Sequence, residues 1–371
     1  MLKELKKNKR VFVMMSGGVD SSVAAFLLKK QGYEVVGVFM RCYNIDGCVE
    51  RDAEDARRVA EKLTIPFYVW DFEKEYKKKV VEYMVKGYRK GITPNPDVMC
   101  NREIKFGLFL KKALKMGADY VASGHYVRLS NIPQDNSTSS LFSLFQAKDK
   151  NKDQSYFLWT LTQKQLKHCL FPIGDYLKPK VREMARKAGL PTADKKDSQG
   201  ICFLGKVTLD KFLGQYIPKK KGIVLNISGE KLGEHKGAHF YTIGQRHLGI
   251  SNLKSQISNQ KPYYVAEKNV KKNIIVVAEG NENPALYKNE IKLTDVNFIS
   301  PLAHSLIRAN SRIDVLARLR YRQPLVKAKL IKLSITNYQL LFTEPVKFVA
   351  PGQSAVFYLK NGEMLGGGII I

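Results

Sequence analysis

Short apolar runs and helical stripes alternate along the first part of the chain. Val11–Met15 is a run of five apolar residues, the kind of strand that a parallel sheet buries on both faces. Ser16-Gly17-Gly18 makes a tight turn into a helix with Val23, Phe26 and Leu27 on one face and Gly32 at its end. Glu34–Met40 predicts a second strand and Ile65–Trp70 a third. Between them, Ala53, Ala56, Val59, Ala60 and Leu63 form the stripe of a helix over Asp52–Leu63. A long basic helix over Phe72–Arg89, a helix over Ile104–Met116 closed by Gly117, and a strand over Asp119–Ser123 follow. Repeated strand–helix–strand units mean the α/β class with a doubly wound parallel sheet, whose ligands sit beyond the strand C-termini. Ser16–Ser22, Met40 and Gly124-His125 all fall at such ends.

Further along, the polar stretch Asn131–Ser140 reads as an exposed loop between two strands. Cys169 follows His168 in a stretch read as helical, with Leu161, Leu166 and Leu170 nearby, and is expected to be packed. Pro179–Ala188 predicts a helix; Leu177 stands where a polar N-cap is usual, a loss of ~1 kcal/mol. The pattern changes around Gly214–Gly222, where Pro218-Lys-Lys-Lys-Gly222 reads as a linker or exposed turn. Beyond it the signals are short strands and turns. Ile313, Val315, Ala317, Leu319 and Tyr321 alternate with Arg312, Asp314, Leu316, Arg318 and Arg320, which points the arginines outward. Pro351-Gly352 fits a type II turn and Asn361-Gly362 a hairpin turn. This predicts a small antiparallel barrel or sandwich at the C-terminal end.

A length of 371 residues accommodates two or three domains. Charge changes the picture more: 62 basic against 34 acidic residues give a net +28. Such an excess favours a polyanionic partner, RNA or DNA before membrane. No apolar run reaches bilayer-spanning length, and Val11–Met15 is too short for a signal-peptide core. Five widely spaced cysteines do not make a secreted disulfide scaffold; they suggest a reducing compartment, the cytoplasm.

Two glycines at a strand-to-helix turn let a phosphate approach the backbone, and the helix N-terminus supplies N–H donors and positive dipole. Ser16, Ser21 and Ser22 add hydroxyls, and Asp20 is a candidate to hold Mg²⁺ against the phosphates. Neither Gly-x-x-x-x-Gly-Lys-Ser/Thr nor Gly-x-Gly-x-x-Gly occurs at this turn. Thr93-Pro94-Asn95-Pro96-Asp97-Val98-Met99-Cys100-Asn101 places a carboxylate three residues before a cysteine near a helix start, where the dipole favours a thiolate. Taken alone, the segment is better described as a capping Asp beside a buried cysteine. Asp197-Ser-Gln-Gly-Ile-Cys202-Phe203 is a second cysteine segment, and the two can meet only through tertiary structure.

Ser16-Gly-Gly-Val-Asp-Ser-Ser22 resembles the PP-loop of ATP pyrophosphatases, which adenylate a carbonyl or carboxyl oxygen and release pyrophosphate. It is joined by Asn95-Pro-Asp-Val-Met-Cys100-Asn101, Gly124-His-Tyr126, Lys152-Asp-Gln-Ser-Tyr-Phe157 and Asp197-Ser-Gln-Gly-Ile-Cys202-Phe203. Tyr241-Thr-Ile-Gly-Gln-Arg246, Arg318-Leu-Arg-Tyr-Arg-Gln-Pro324, Ala350-Pro-Gly-Gln353 and Leu365-Gly-Gly-Gly368 follow. In that order, over nearly the whole chain, the set resembles the tRNA-specific 2-thiouridylase family.

The resemblance implies a PP-loop ATP-binding catalytic domain over 1–212, a small central domain over 213–288 and a tRNA-contacting β-barrel over 289–371. It implies that ATP, with Mg²⁺ and no tightly bound metal, adenylates the 2-carbonyl of the wobble uridine. Cys202 matches the persulfide cysteine, Cys100 the nucleophile that releases the sulfur, and Asp97 the acid/base residue. A transient Cys100–Cys202 disulfide results. Met14, Met15, Ser16, Gly17, Gly18, Val19, Asp20, Ser21, Met40 and Gly124 align with ATP contacts. Asn95, Pro96, Asp97, His125, Lys152, Asp153, Gln154, Arg320, Tyr321 and Gln353 align with tRNA contacts. The implied partners are the tRNA anticodon arm and a persulfide donor, a cysteine desulfurase or relay protein. Met14 departs from the small residue usual in the family at that place.

Overall fold

The computed structural model describes residues 8–43, 47, 49–132, 141–197, 205, 207–250, 261–309, 312–334 and 336–371. The first strands are β1 (Arg10–Met14), β2 (Glu34–Arg41), β3 (Phe67–Asp71) and β4 (Tyr120–Ala122). A hairpin of β5 (Val127–Ile132) and β6 (Leu141–Gln146) precedes β7 (Cys169–Leu170). The sheet order is β3-β2-β1-β4-β7, all parallel. The chain thus builds outward from β1 to β2 and β3 on one side and to β4 and β7 on the other, and the switch point where a crevice opens lies between the C-terminal ends of β1 and β4.

The pleat divides β1 between two cores. Val11, Val13 and Met15 pack on the side of α1 (Val19–Lys30) and α2 (Val49–Lys62). Phe12 and Met14 pack on the other side with Tyr76, Val80, Met84, Ile104 and Phe109. Those residues belong to helices spanning 73–89 and 96–115, each with a π-helical stretch, Lys77–Val81 and Asn101–Phe109. The second helix starts eight residues before the predicted Ile104. Pro96 occupies its first turn, where a missing N–H is harmless, and the Asn95 side chain caps it by accepting from Val98 N at 3.2 Å.

Cys169 does not lie in a helix: the helix stops at Leu166, and Cys169 pairs in β7 beside β4. Only Gln163–Leu166 forms a helical turn, opened by a Thr162–Gln165 capping box, and the sheet edge takes the residues that follow. Packing is as expected, since the thiol is buried and burial pushes its pKa far up. Leu177 makes no side-chain cap at helix Lys178–Lys187; Asp149 Oδ2 instead accepts from Lys178 N at 2.9 Å.

Beyond the linker, β8 (Gly222–Asn226), β9 (Lys231–His235), β10 (Tyr263–Asn269) and β11 (Ile274–Glu279) form a four-stranded sheet. The last strands are β12 (Tyr287–Phe298), β13 (Arg312–Arg318), β14 (Val326–Lys332), β15 (Tyr338–Lys347), β16 (Ser354–Tyr358) and β17 (Met364–Ile370). They close into a barrel, ordered β12-β15-β14-β13-β16-β17, so the sandwich alternative falls away.

One expectation needs correction. Arg318 points out of the barrel but not into water, because that side of the barrel packs on the N-terminal domain. Its guanidinium meets Asp153 Oδ2 at 2.9 Å, with the two side chains 9% and 0% exposed. Asp153 also accepts from Gln146 Nε2, Ala147 N, Ser155 N and Ser155 Oγ. Trp159 Nε1 donates to Ser354 Oγ at 2.9 Å across the same interface.

Removing one partner from a buried pair strands the other charge, at about 3–5 kcal/mol. Arg318→Leu is therefore expected to lower unfolding stability by about that amount in denaturant titrations, and Arg318→Leu/Asp153→Asn by less. Equal losses in the two variants would contradict this reading of the pair.

Candidate active site

The turn after β1 is built for close approach. A Cβ on Gly17 would lie 2.3 Å from the Asp52 carbonyl oxygen of α2, and one on Gly124, after β4, 2.6 Å from Ser21 N. Both positions exclude any side chain, so the head of α1 is pinned between α2 and the end of β4. Gly18 caps α1 without a side chain. Ser16 N donates to Ser21 Oγ at 3.1 Å, and the Ser21 and Ser22 hydroxyls return to Gly18 O at 3.1 and 2.8 Å. These bonds hold the loop folded while Ser16 stays exposed. The result is a helix N-terminus opening on the crevice, suited to an anion.

Asp20, in the first turn of α1, is the anchor of a charged network. Lys178 Nζ donates to both of its carboxylate oxygens, at 2.7 and 2.8 Å, and Tyr126 OH donates to Oδ1 at 2.9 Å. Burial first, then the charge and hydrogen bond of Asp20, drives the Tyr126 hydroxyl pKa far up, so it remains a donor. Lys178 Nζ also lies 2.9 Å from Asp197 Oδ1. Asp197 accepts in addition from Lys152 Nζ and Arg182 Nη2, each at 2.7 Å. Burial alone would raise the Asp197 pKa, but the hydrogen bonds and charges of Lys152 and Lys178 prevail and hold it at about 2.

The approach to Asp197 is stapled to the same loop. Thr192 Oγ1 bonds Ser22 Oγ at 2.8 Å, and Lys195 pairs with Asp52 and Asp55 of α2. Cys202 and its neighbours 198–204 lie outside the described residues, as does the 133–140 part of the polar loop.

Cys100 is buried at the end of the Pro96–Cys100 turn, and Asp97 is half-buried one turn earlier. At i and i+3 they share a helix face. The preceding loop is braced by the barrel: Gln353 Nε2 donates to Thr93 O at 2.9 Å, and Thr93 N donates to Pro351 O at 2.7 Å. Gly352 has φ +90°, as the predicted type II turn requires. The tyrosine of the Lys152–Phe157 segment, Tyr156, donates to Ser354 O at 3.0 Å.

That segment connects both groups of residues. At one end Gln154 Oε1 accepts from Tyr126 N at 3.0 Å, next to the Asp20 network. At the other, Phe157 O accepts from Asn101 Nδ2 at 3.2 Å, next to Cys100, and the Phe157 ring packs tilted against Tyr321 with centroids 4.5 Å apart. Hydrogen bonds thus run from Asp20 through Tyr126, Gln154 and Phe157 to Asn101.

The remaining predicted residues have varied settings. His125 is buried between Phe106 and Phe171, with Nδ1 2.6 Å from Ser123 Oγ. Burial, then the charge of Lys105, lowers its pKa well below the ordinary value, so the ring is neutral. Arg320 is half-buried and donates to Ile243 O of the central part at 3.0 Å. Asp153 is wholly engaged inside the protein. Met14 and Met15 are buried on opposite faces of the sheet, and Met40 is half-buried at the end of β2. Sequence reading missed Lys178, Arg182 and the Tyr126 hydroxyl as partners of the loop and of Asp197. No local signal marks an ion pair between residues 158 positions apart.

Comparison with known proteins follows the same three-part division. Residues 9–206 match the family model described as tRNA methyl transferase HUP domain. Residues 210–279 match the tRNA methyl transferase PRC-barrel domain, and 288–370 the aminomethyltransferase beta-barrel domain. The chain is 44% identical to the tRNA-specific 2-thiouridylase of Bacillus licheniformis, over 98% of this chain and 95% of that one. It is 45% identical to that of Geobacillus thermodenitrificans (97% and 94%) and 44% identical to that of Streptococcus thermophilus (97% and 95%).

The Asp197 network carries a pH signature. Its folded pKa of about 2 lies below the ordinary 3.8, so its stabilisation is complete above the ordinary value and lost as pH falls through the folded one. The stability difference between wild type and Asp197→Asn is therefore expected to shrink as pH falls from about 5 to about 2, read by tryptophan fluorescence in denaturant. A constant difference would contradict it.

Proposed function

The chain belongs to the tRNA-specific 2-thiouridylase family of tRNA sulfurtransferases, and from that footing we propose how its own residues carry out thiolation of the wobble uridine in the tRNA anticodon. The observation that supports this most directly is the hydrogen-bonded path from Asp20 at the glycine turn to Asn101 beside Cys100. It makes the phosphate loop and one thiol parts of a single rigid site.

ATP occupies the crevice between β1 and β4, with its phosphates on the Ser16–Ser22 loop and the head of α1. The O2 of the uridine attacks the α-phosphorus. The new O2–P bond forms as the bond to the bridging oxygen breaks, and pyrophosphate leaves with that electron pair. A urea-like carbonyl resists sulfur attack until its oxygen becomes an AMP ester. The Cys202 persulfide then bonds to C2 and AMP departs. The Cys100 thiolate attacks the Cys202 sulfur, leaving sulfur on C2 and a Cys100–Cys202 disulfide that an external reductant reopens. The two cysteines lose the two electrons that the transferred sulfur gains. Asp97, on the Cys100 face of its helix, manages the N3 proton.

Magnesium fits this donor set as the ion that accompanies ATP. Asp20 offers carboxylate oxygen beside serine hydroxyls, and among the described residues no three metal-ligating side chains cluster; one carboxylate plus substrate phosphates is a common magnesium arrangement. The ion would neutralise phosphate charge as pyrophosphate forms.

The net +28 suits a polyanionic substrate. His125, Lys152, Gln154, Arg320, Tyr321, Gln353 and the Asn95–Asp97 turn are the proposed tRNA side of the site, and a persulfide-carrying protein is the proposed donor. Among the described residues no helix is long and apolar enough to cross a membrane. Methyl transfer, the activity in the domain description, gives no role to a phosphate loop or to paired cysteines, and thiolation uses both.

With ATP, Mg²⁺ and a persulfide donor, mass spectrometry of wobble-uridine tRNA is expected to show 2-thiouridine. Cys202→Ser should abolish that product and leave tRNA binding within about twofold; normal thiolation by the variant would overturn the proposal. Asp20→Ala should abolish tRNA-dependent pyrophosphate release, and release at the wild-type rate would remove the loop from the reaction.

A further inference from the structure

The phosphate loop contains no cation: Ser16–Ser22 has neither Lys nor Arg. A reaction that expels pyrophosphate builds negative charge on the leaving phosphates, and backbone N–H groups carry only partial charge to meet it. Lys178 is placed to supply a full one. Its ammonium touches both oxygens of Asp20, in the first turn of α1, and its side chain is only 9% exposed.

Several contacts hold it there. Its backbone N–H is fixed by Asp149, its ammonium lies 5.8 Å from the centre of the Tyr126 ring, and Asp197 takes its other side at 2.9 Å. An ammonium taken out of water loses much of its hydration. An exposed pair would tie helix Lys178–Lys187 to α1 without that cost. The burial is accounted for if the group meets an anionic ligand in the crevice.

We propose that Lys178 is a further catalytic residue of this enzyme: it binds the β- and γ-phosphates of ATP and stabilises the departing pyrophosphate, with Asp20 and Asp197 as the residues that position it. The assignment rests on the adenylation reading above. On nucleotide binding the ammonium turns from Asp20 to the phosphates, which frees the Asp20 carboxylate for the ion that accompanies ATP. Tyr126 keeps its hydrogen bond to Asp20 throughout.

The test compares two nucleotides on the full-length chain. Binding of α,β-methylene-ATP, which cannot lose pyrophosphate, and of AMP is measured by calorimetry for wild type, Lys178→Met and Lys178→Arg. Lys178→Met is expected to bind the triphosphate at least about tenfold more weakly and AMP within about twofold of wild type, with Lys178→Arg restoring most of the loss. Its tRNA-dependent pyrophosphate release should fall by about a hundredfold or more. A merely structural lysine would weaken both nucleotides together; that result, or no loss for either, overturns the assignment. Lys180→Met, at an exposed lysine two positions on in the same helix, is the control for a general loss of charge or of the helix: it should bind the triphosphate within about twofold of wild type, and a loss as large as that of Lys178→Met would also overturn the assignment. If wild type binds the analogue but releases no pyrophosphate with tRNA, the adenylation reading fails instead.

Discussion

Everything in the site is placed by the contact between the end of β4 and the head of α1. Because Gly124 has no side chain, Ser21 N and the Asp20 carbonyl carbon come within 2.6–2.7 Å of where its Cβ would stand. The approach brings Tyr126, two residues on, to the Asp20 carboxylate. Tyr126 in turn carries Gln154, and the segment from Gln154 to Phe157 reaches Asn101 beside Cys100. Any residue larger than glycine would drive α1 off the sheet and break this sequence of contacts at its start.

The barrel belongs to the same construction. Its Arg318 is sunk into the N-terminal domain on Asp153, and its Pro351–Gln353 turn holds the loop that precedes Cys100. Residues aligned with tRNA contacts thus also brace the pocket: Gln353 grips Thr93, and Tyr321 packs against Phe157. Substrate contact at these side chains would be felt directly by the Cys100 turn. The central sheet joins in through Arg320, which spans to Ile243.

Much of the fold was legible in the sequence because its signals are local. Val11–Met15, the alanine stripe of α2 and the glycine turns are each encoded within a few residues, and the parallel sheet follows from their repetition. Alternation along β13 separates the inside of the barrel from its outside but says nothing of what covers the outside, so it cannot tell a solvated Arg318 from one buried on Asp153. Cys169 sits where one helical turn gives way to a two-residue strand, too short for any periodicity to register. The cap of helix Lys178–Lys187 comes from Asp149, and the partner of Asp20 from Lys178. Such pairings are made by the folded chain and leave no trace in spacing. The two cysteine segments stand out by their own residues, a carboxylate three before one thiol and a glycine-bearing polar run before the other, but their pairing and roles rest on the family resemblance.

The account turns on two sulfur atoms far apart in sequence acting on one base beside the ATP loop. Peptide mapping of thiol-blocked enzyme after a single turnover, started from persulfide-loaded protein, ATP and tRNA without reductant, tests this most directly. The account predicts a Cys100–Cys202 cross-linked peptide in proportion to the 2-thiouridine formed. Full thiolation with both cysteines recovered as separately blocked thiols would contradict it.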